Sequence, residues 1–130
     1  MIQPEDVYTI EWYIPKRVLL LQYSGDKMPR EKLEEIASKL EELYQEGDAP
    51  IHIISDNTNQ GDLDIDLSGI KQVFSVMKQP DWGWIFLIGT DKIISFFAVM
   101  VSHAFKLKIR NAESIEKALA TLKRLDPTLD

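Results

Sequence analysis

Val7-Tyr8-Thr9-Ile10-Glu11-Trp12-Tyr13-Ile14, then Pro15-Lys16, then Arg17-Val18-Leu19-Leu20-Leu21-Gln22-Tyr23 is the stretch that decides the fold. In its first half Tyr8, Ile10, Trp12 and Ile14 alternate with Val7, Thr9, Glu11 and Tyr13, the period of two of a strand with one face more buried than the other. The second half is too short for a helix and lies between Pro15 and Ser24-Gly25, so the two halves form a β-hairpin. An antiparallel hairpin at the start argues against a doubly wound dinucleotide domain.

Outward from the hairpin, helices and strands alternate. Leu33, Ile36, Ala37, Leu40, Leu43 and Tyr44 recur every three or four residues between Pro29 and Gly47, which predicts an amphipathic helix with a charged outer face. Pro50 to Asp56 is a short apolar strand ending on an acid, and Asn57-Thr58-Asn59-Gln60-Gly61 is expected to be a polar loop. A helix is expected after Asp64 or Asp66, with Leu67, Ile70, Val73, Phe74 and Met77 on one face and Pro80 closing it. Trp84 to Gly89 is apolar at every position before the glycine, as in a central strand covered on both sides. A helix from Lys92 to about His103 follows. Phe105, Leu107 and Ile109 then alternate with Lys106, Lys108 and Arg110 in a lysine-guarded edge strand. Asn111 is expected to cap a last helix with Ile115, Ala118, Leu119, Leu122 and Leu125 in one stripe, ending at Asp126-Pro127. The order β-β-α-β-α-β-α-β-α implies an α/β fold with a single mixed β-sheet.

Composition agrees with a globular chain. The 130 residues are 45% hydrophobic and 28% charged, with no cysteine and a net charge of -6. A chain of this length buries roughly two thirds of its unfolded surface and needs no covalent or metal staple. The longest apolar run, Ile93 to Phe105, is 13 residues, short of the roughly 20 that span a bilayer. The acidic start, Met1 to Asp6, is unlike a secretory signal, so a cytoplasmic location is expected. Residues 1–66 carry a net -9 and residues 67–130 a net +3. The overall negative field, and the few aromatic neighbours of Lys106-x-Lys108-x-Arg110, argue against nucleic acid as a partner.

The hairpin from Trp12 to Gly25, the strand Ile51-His52-Ile53-Ile54-Ser55-Asp56, the strand Ile85 to Gly89, the helix start at Asp66-Leu67-Ser68-Gly69 and the segment Ile109 to Leu119 together resemble the STAS domain. This is the SpoIIAA-like fold of anti-sigma-factor antagonists and sulphate-transporter tails, with a closer likeness to stand-alone bacterial STAS/SEC14-type proteins. The resemblance covers nearly all of residues 1–130 and implies a single STAS-like domain. It also implies a regulatory module that docks a protein partner such as a kinase or factor. In such antagonists the strand runs into an Asp-Ser-Ser-Gly type turn whose serine is phosphorylated. In this chain Asp56 is followed by Asn57 and Thr58, which departs from that pattern. Thr58 and Ser68 are the two hydroxyls that could take the serine's place, and with Asp56 they form the candidate phosphorylation or docking site. A phosphate there adds about -1.5 to -2 charges, against repulsion from Asp62, Asp64 and Asp66.

The chemical motifs have plain structural alternatives. Asp62-x-Asp64-x-Asp66 starts like a calcium loop, but Leu67 and Val73 stand where the loop needs glycine and glutamate, so helix capping is the expected role. His52 and His103 have no metal-ligand spacing and are expected to be structural. No glycine fingerprint, nucleophile elbow or P-loop is present, so no cofactor, metal or catalytic residue is assigned. The Ile93 to Phe105 helix is apolar around far more than one sheet-facing arc. Either neighbouring helices bury it, or Phe96, Phe97, Met100 and Val101 form a homodimer interface. A third reading is a groove for a small apolar ligand walled by Phe74, Met77 and the same helix. The expected function is a non-enzymatic regulatory or protein-interaction module, with apolar-ligand binding as the alternative.

Overall fold

A computed structural model describes residues 8–28, 30–65, 75–76, 81–89 and 107–129. The hairpin is present: β1 (Tyr8–Ile14) pairs antiparallel with β2 (Val18–Met28). Its turn is closed by the Arg17 N–H on the Ile14 carbonyl at 3.0 Å. Pro15 supplies the fixed φ of the first corner, and Lys16 takes φ 65 at the second, where glycine or asparagine is the usual residue. Helix α1 (Arg30–Glu46) follows, then β3 (Ile51–Ile65), β4 (Trp82–Ile88), β5 (Lys108–Ala112), α2 (Ile115–Leu125) and a 3-10 turn at Pro127–Leu129. The strands form one mixed five-stranded sheet in the order β1-β2-β3-β4-β5, parallel from β2 to β5.

Each face of the sheet has its own helix. On one, Leu33, Ile36, Leu40 and Leu43 of α1 pack into a cluster with Leu19, Ile51, Ile53, Trp82 and Ile85. On the other, Ala118 and Leu122 of α2, with Leu129, cluster with Val18, Leu20, Ile54, Phe86 and Ile88. Each such fully buried aliphatic side chain is worth about 1.5–3 kcal/mol against exposure. The unbroken apolar run of β4 follows from this arrangement, since both of its faces are covered. Gly47, which ends α1 by donating to the Leu43 carbonyl at 3.0 Å, sits where a Cβ would come within 2.5 Å of Ile51 Cδ1. Any larger residue in the tight α1-to-β3 connection would have to displace the buried Ile51 side chain.

The structure corrects several boundaries. The expected loop at Asn57 to Gly61 is strand: β3 continues past Asp56 to Ile65, and β2 continues past Ser24-Gly25 to Met28, with Ser24↔Asn59 and Met28↔Ile65 among the paired positions. Between Gln22↔Asp56 and Met28↔Ile65, β3 carries three more residues than β2, taken up as register shifts. Backbone pairing satisfies these polar segments without the apolar alternation by which strands are recognised in a sequence. Asp62 and Asp64 consequently lie in β3 and do not cap a helix. At the other end Asn111 belongs to β5, and the cap of α2 is Ser114, whose hydroxyl accepts the Lys117 N–H at 3.1 Å. β5 itself starts at Lys108, three residues later than expected. The helices expected after Asp66 and from Lys92 to His103 lie outside the described residues, apart from Ser75 and Val76, which are helical.

Candidate functional site

Two polar groupings emerge at opposite ends of the parallel strands. The first is level with the C-terminal ends of β4 and β5, where Gln22, Asp56, Ile88 and Ala112 stand side by side across β2 to β5, while β2 and β3 run on beyond this level to Met28 and Ile65. Asp56, in the middle strand, is half-buried, and its Oδ2 accepts from Gln22 Nε2 at 3.3 Å. The chain leaves β5 at Ala112 and enters α2 after Ser114, so the positive end of that helix shares this end of the sheet. Crevices at the C-terminal ends of parallel strands are the usual ligand sites of open α/β sheets. Of the sequence candidates, Asp56 and Thr58 both lie on β3. Ser68, Phe74, Met77, Phe96, Phe97, Met100 and Val101 fall outside the described residues, and with them the dimer and apolar-groove readings.

The second grouping has no counterpart among the sequence expectations beyond a structural histidine. His52 is 1% exposed, and both of its ring nitrogens are engaged. Nδ1 accepts the backbone N–H of Trp84 at 2.9 Å, and Nε2 lies 2.9 Å from Asp126 Oδ2. Because Nδ1 must be an acceptor, the neutral ring carries its proton on Nε2 and donates it to the carboxylate. The same Oδ2 receives Arg17 Nη2 at 2.8 Å. Asp126 Oδ1 takes the Thr128 hydroxyl at 2.5 Å and the Thr128 N–H at 3.1 Å. Arg17 also donates to the Pro50 and Thr128 carbonyls, while its own carbonyl receives the His52 N–H at 2.8 Å. A Cβ on Gly83 would collide with Cε1 and Nδ1 of the imidazole, so glycine at that position is what lets β4 pass against the ring.

The electrostatics follow from this packing. Burial is the strongest influence on His52 and pushes its pKa below the ordinary value, against the pull of the Asp126 carboxylate; Arg17 and Lys108 push it the same way as burial. Burial raises the Asp126 carboxyl, but hydrogen bonds from His52 and Thr128 together with the Arg17 charge outweigh it and bring the group to about 2. The network is thus a neutral imidazole beside an Arg17–Asp126 ion pair. It closes the N-terminal end of β3 against the segment after α2. With both ring nitrogens occupied by the protein itself, His52 has no nitrogen to offer a substrate or a metal in this arrangement. The available signal was an imidazole inside the apolar run Ile51 to Ile54, which must find buried partners. Their identity depends on a contact spanning 74 positions.

A third cluster lies on the edge strand. The basic stretch of β5 does have an aromatic neighbour. Trp84 pairs with Lys108 across the strands, and Lys108 Nζ and Arg110 Cζ lie 5.8 and 5.6 Å from the Trp84 ring centroid.

The order of strands, the two faces and the helix placement can be set beside solved proteins. No family model matches the sequence, and no curated protein matches it. The unphosphorylated anti-sigma factor antagonist SpoIIAA superposes with a TM-score of 0.67 at 15% identity, covering 90% of this chain and 96% of that one. The chain has a SpoIIAA-like fold. An uncharacterised DUF3478-family protein from Shewanella loihica PV-4, also described as SpoIIAA-like, gives a TM-score of 0.64 at 17% identity over 88% of this chain and 91% of that one. The phosphorylated form of the Bacillus cell fate determinant SpoIIAA gives 0.52 at 12% identity, over 88% and 98% of the two chains. The SpoIIAA-like, or STAS, assignment expected from the hairpin and the Asp56 strand is therefore met at the level of the fold. Among the described residues no helix is long and apolar enough to cross a membrane.

Proposed function

We propose that this chain is a non-enzymatic regulatory module of the cytoplasm that docks a protein partner around Asp56, Thr58 and Ser68. The observation that carries this reading is the position of the half-buried Asp56 on the middle strand, bonded to Gln22 of β2 and level with the ends of β4 and β5, where the chain turns into α2. The fold likeness supports it, because the SpoIIAA structures include an anti-sigma factor antagonist and both an unphosphorylated and a phosphorylated form. The segment from Asp56 to Asp66, which a partner of the kinase or regulatory-factor type would meet, is rich in carboxylates in sequence. Phosphate on Thr58 or Ser68 would add about -1.5 to -2 charges to that region and weaken the hold of a basic partner face.

The test is crosslinking in extracts of the source cell with the native chain and with Asp56→Arg. A protein captured by the native chain and lost with Asp56→Arg, at unchanged circular dichroism, supports the docking site. Equal capture by both, or capture of nothing, sinks it. Mass analysis after incubation with the captured partner and ATP reports separately on Thr58 and Ser68.

A further inference from the structure

We propose that the β5 edge of the sheet is a second docking surface, which takes an extended acidic strand from a partner protein. It is separate from the Asp56 end and does not depend on the reading given for it. Among the described residues β5 is the last strand in the sheet order. Lys108 and Arg110 are exposed and two residues apart, so both project from one face of that strand. Each sits within 6 Å of the Trp84 ring centroid, where the negative face of the indole holds a cation in place. Among the described residues neither forms an ion pair with a carboxylate. Two cations are thus fixed at strand spacing on an edge, in a chain whose net charge is -6.

That arrangement selects an occupant. A strand added to β5 would lie about 4.8 Å away and place every second side chain opposite Lys108 and Arg110, with Cβ atoms about 5 Å apart. Glutamate or aspartate at those positions gains two cross-strand pairs, whereas lysine or arginine there is repelled. Charges on an edge normally stop a sheet from adding strands; here their single sign excludes neutral and basic strands and admits acidic ones. Single-stranded nucleic acid fits less well, because it needs a longer track of cations and has to approach a negatively charged molecule.

The experiment titrates the isotope-labelled full chain with a short capped peptide carrying glutamate at every second position among valine and threonine. A lysine-for-glutamate version and oligothymidylate serve as the comparison ligands. The glutamate peptide should shift the amides of residues 108–112 and the Trp84 indole saturably, and should weaken as salt is raised. Lys108→Glu with Arg110→Glu should lose about tenfold or more in affinity for it and gain affinity for the lysine peptide. Lys108→Gln with Arg110→Gln, which introduces no new charge, should fall between and stands in if the reversed pair does not fold. Equal binding of the two peptides, no saturable binding of the glutamate peptide, affinity unchanged by the substitutions, or shifts from the oligonucleotide alone would each overturn the proposal.

Discussion

His52 Nε2 and Asp126 Oδ2, from residues 74 positions apart, meet at 2.9 Å. Through them the start of the middle strand is bound to the segment that follows the last helix, and Arg17 at the hairpin turn joins the same carboxylate. The Asp126 and Arg17 side chains are only 11% and 17% exposed, so the ion pair is shielded from the screening that makes surface pairs nearly worthless.

Removing the carboxylate leaves a buried imidazole N–H and a guanidinium without their acceptor. Asp126→Ala should therefore lower the unfolding free energy by about 3 kcal/mol. Asp126→Asn keeps one acceptor oxygen and should cost about half as much. Urea denaturation followed by circular dichroism measures both. A loss for Asp126→Ala no larger than that of the exposed Leu125→Ala would show that the network holds nothing together.

The pH dependence has two windows, both on the acid side. The unfolded chain protonates His52 near 6.5, whereas the folded chain resists to lower pH. The stability from the neutral ring is therefore complete above that value and declines as the pH drops below it. Asp126 contributes on the order of 2 kcal/mol, present above its unfolded value of 3.8 and lost as the pH falls towards about 2. The urea midpoint should fall between about pH 7 and pH 5 in the native chain. The decline should be shallower in His52→Gln, which cannot titrate, and equal slopes would refute the assignment to His52.

Gly83→Ala drives a methyl group into the imidazole and should cost about 1–3 kcal/mol. Steric conflict with one identified ring predicts coupling. In a double-mutant cycle with His52→Ala, the two losses should sum to more than the double variant's loss by about 1 kcal/mol or more. Additive losses would place the strain elsewhere.

The α2 cap gives a smaller, local effect. Ser114→Ala should cost about 1 kcal/mol, while Ser114→Asp should be close to neutral, because it keeps an acceptor and adds a favourable charge at the positive helix end. Thermal melts of the three proteins make the comparison, and an alanine variant as stable as the native chain would discount the Lys117 N–H to Ser114 bond.

What was legible in the sequence was whatever depends on local periodicity. The hairpin alternation from Tyr8 to Ile14, the three-and-four spacing from Leu33 to Leu43, and the unbroken apolar β4 each announce which faces are covered, and together they imply a single mixed sheet with helices on it. The polar continuation of β2 and β3 was not legible, because strands held mainly by backbone pairing leave no pattern of apolar side chains. The cap of α2 was misplaced for a related reason: Asn111 and Ser114 are both good capping residues, and the choice between them depends on where β5 stops pairing with β4. Of the site, Asp56 was marked by ending an apolar run. The partners of His52, and Trp84 beside Lys108, depend on tertiary contacts that no local spacing encodes.

Because the strands lie in the sheet in the order in which they occur in the chain, a ribosome can deliver each one next to a neighbour already made, from the hairpin onwards. The bonds from Arg17 to Asp126 and Thr128 break that progression, since they span 109 and 111 positions. Until the segment after α2 emerges, the first turn of the nascent protein holds an arginine without its carboxylate, and the middle strand holds a histidine in the same condition. Emergence of residues 126–128 is thereby coupled to a gain in stability, and a polypeptide truncated before Asp126 is left measurably easier for a protease to open.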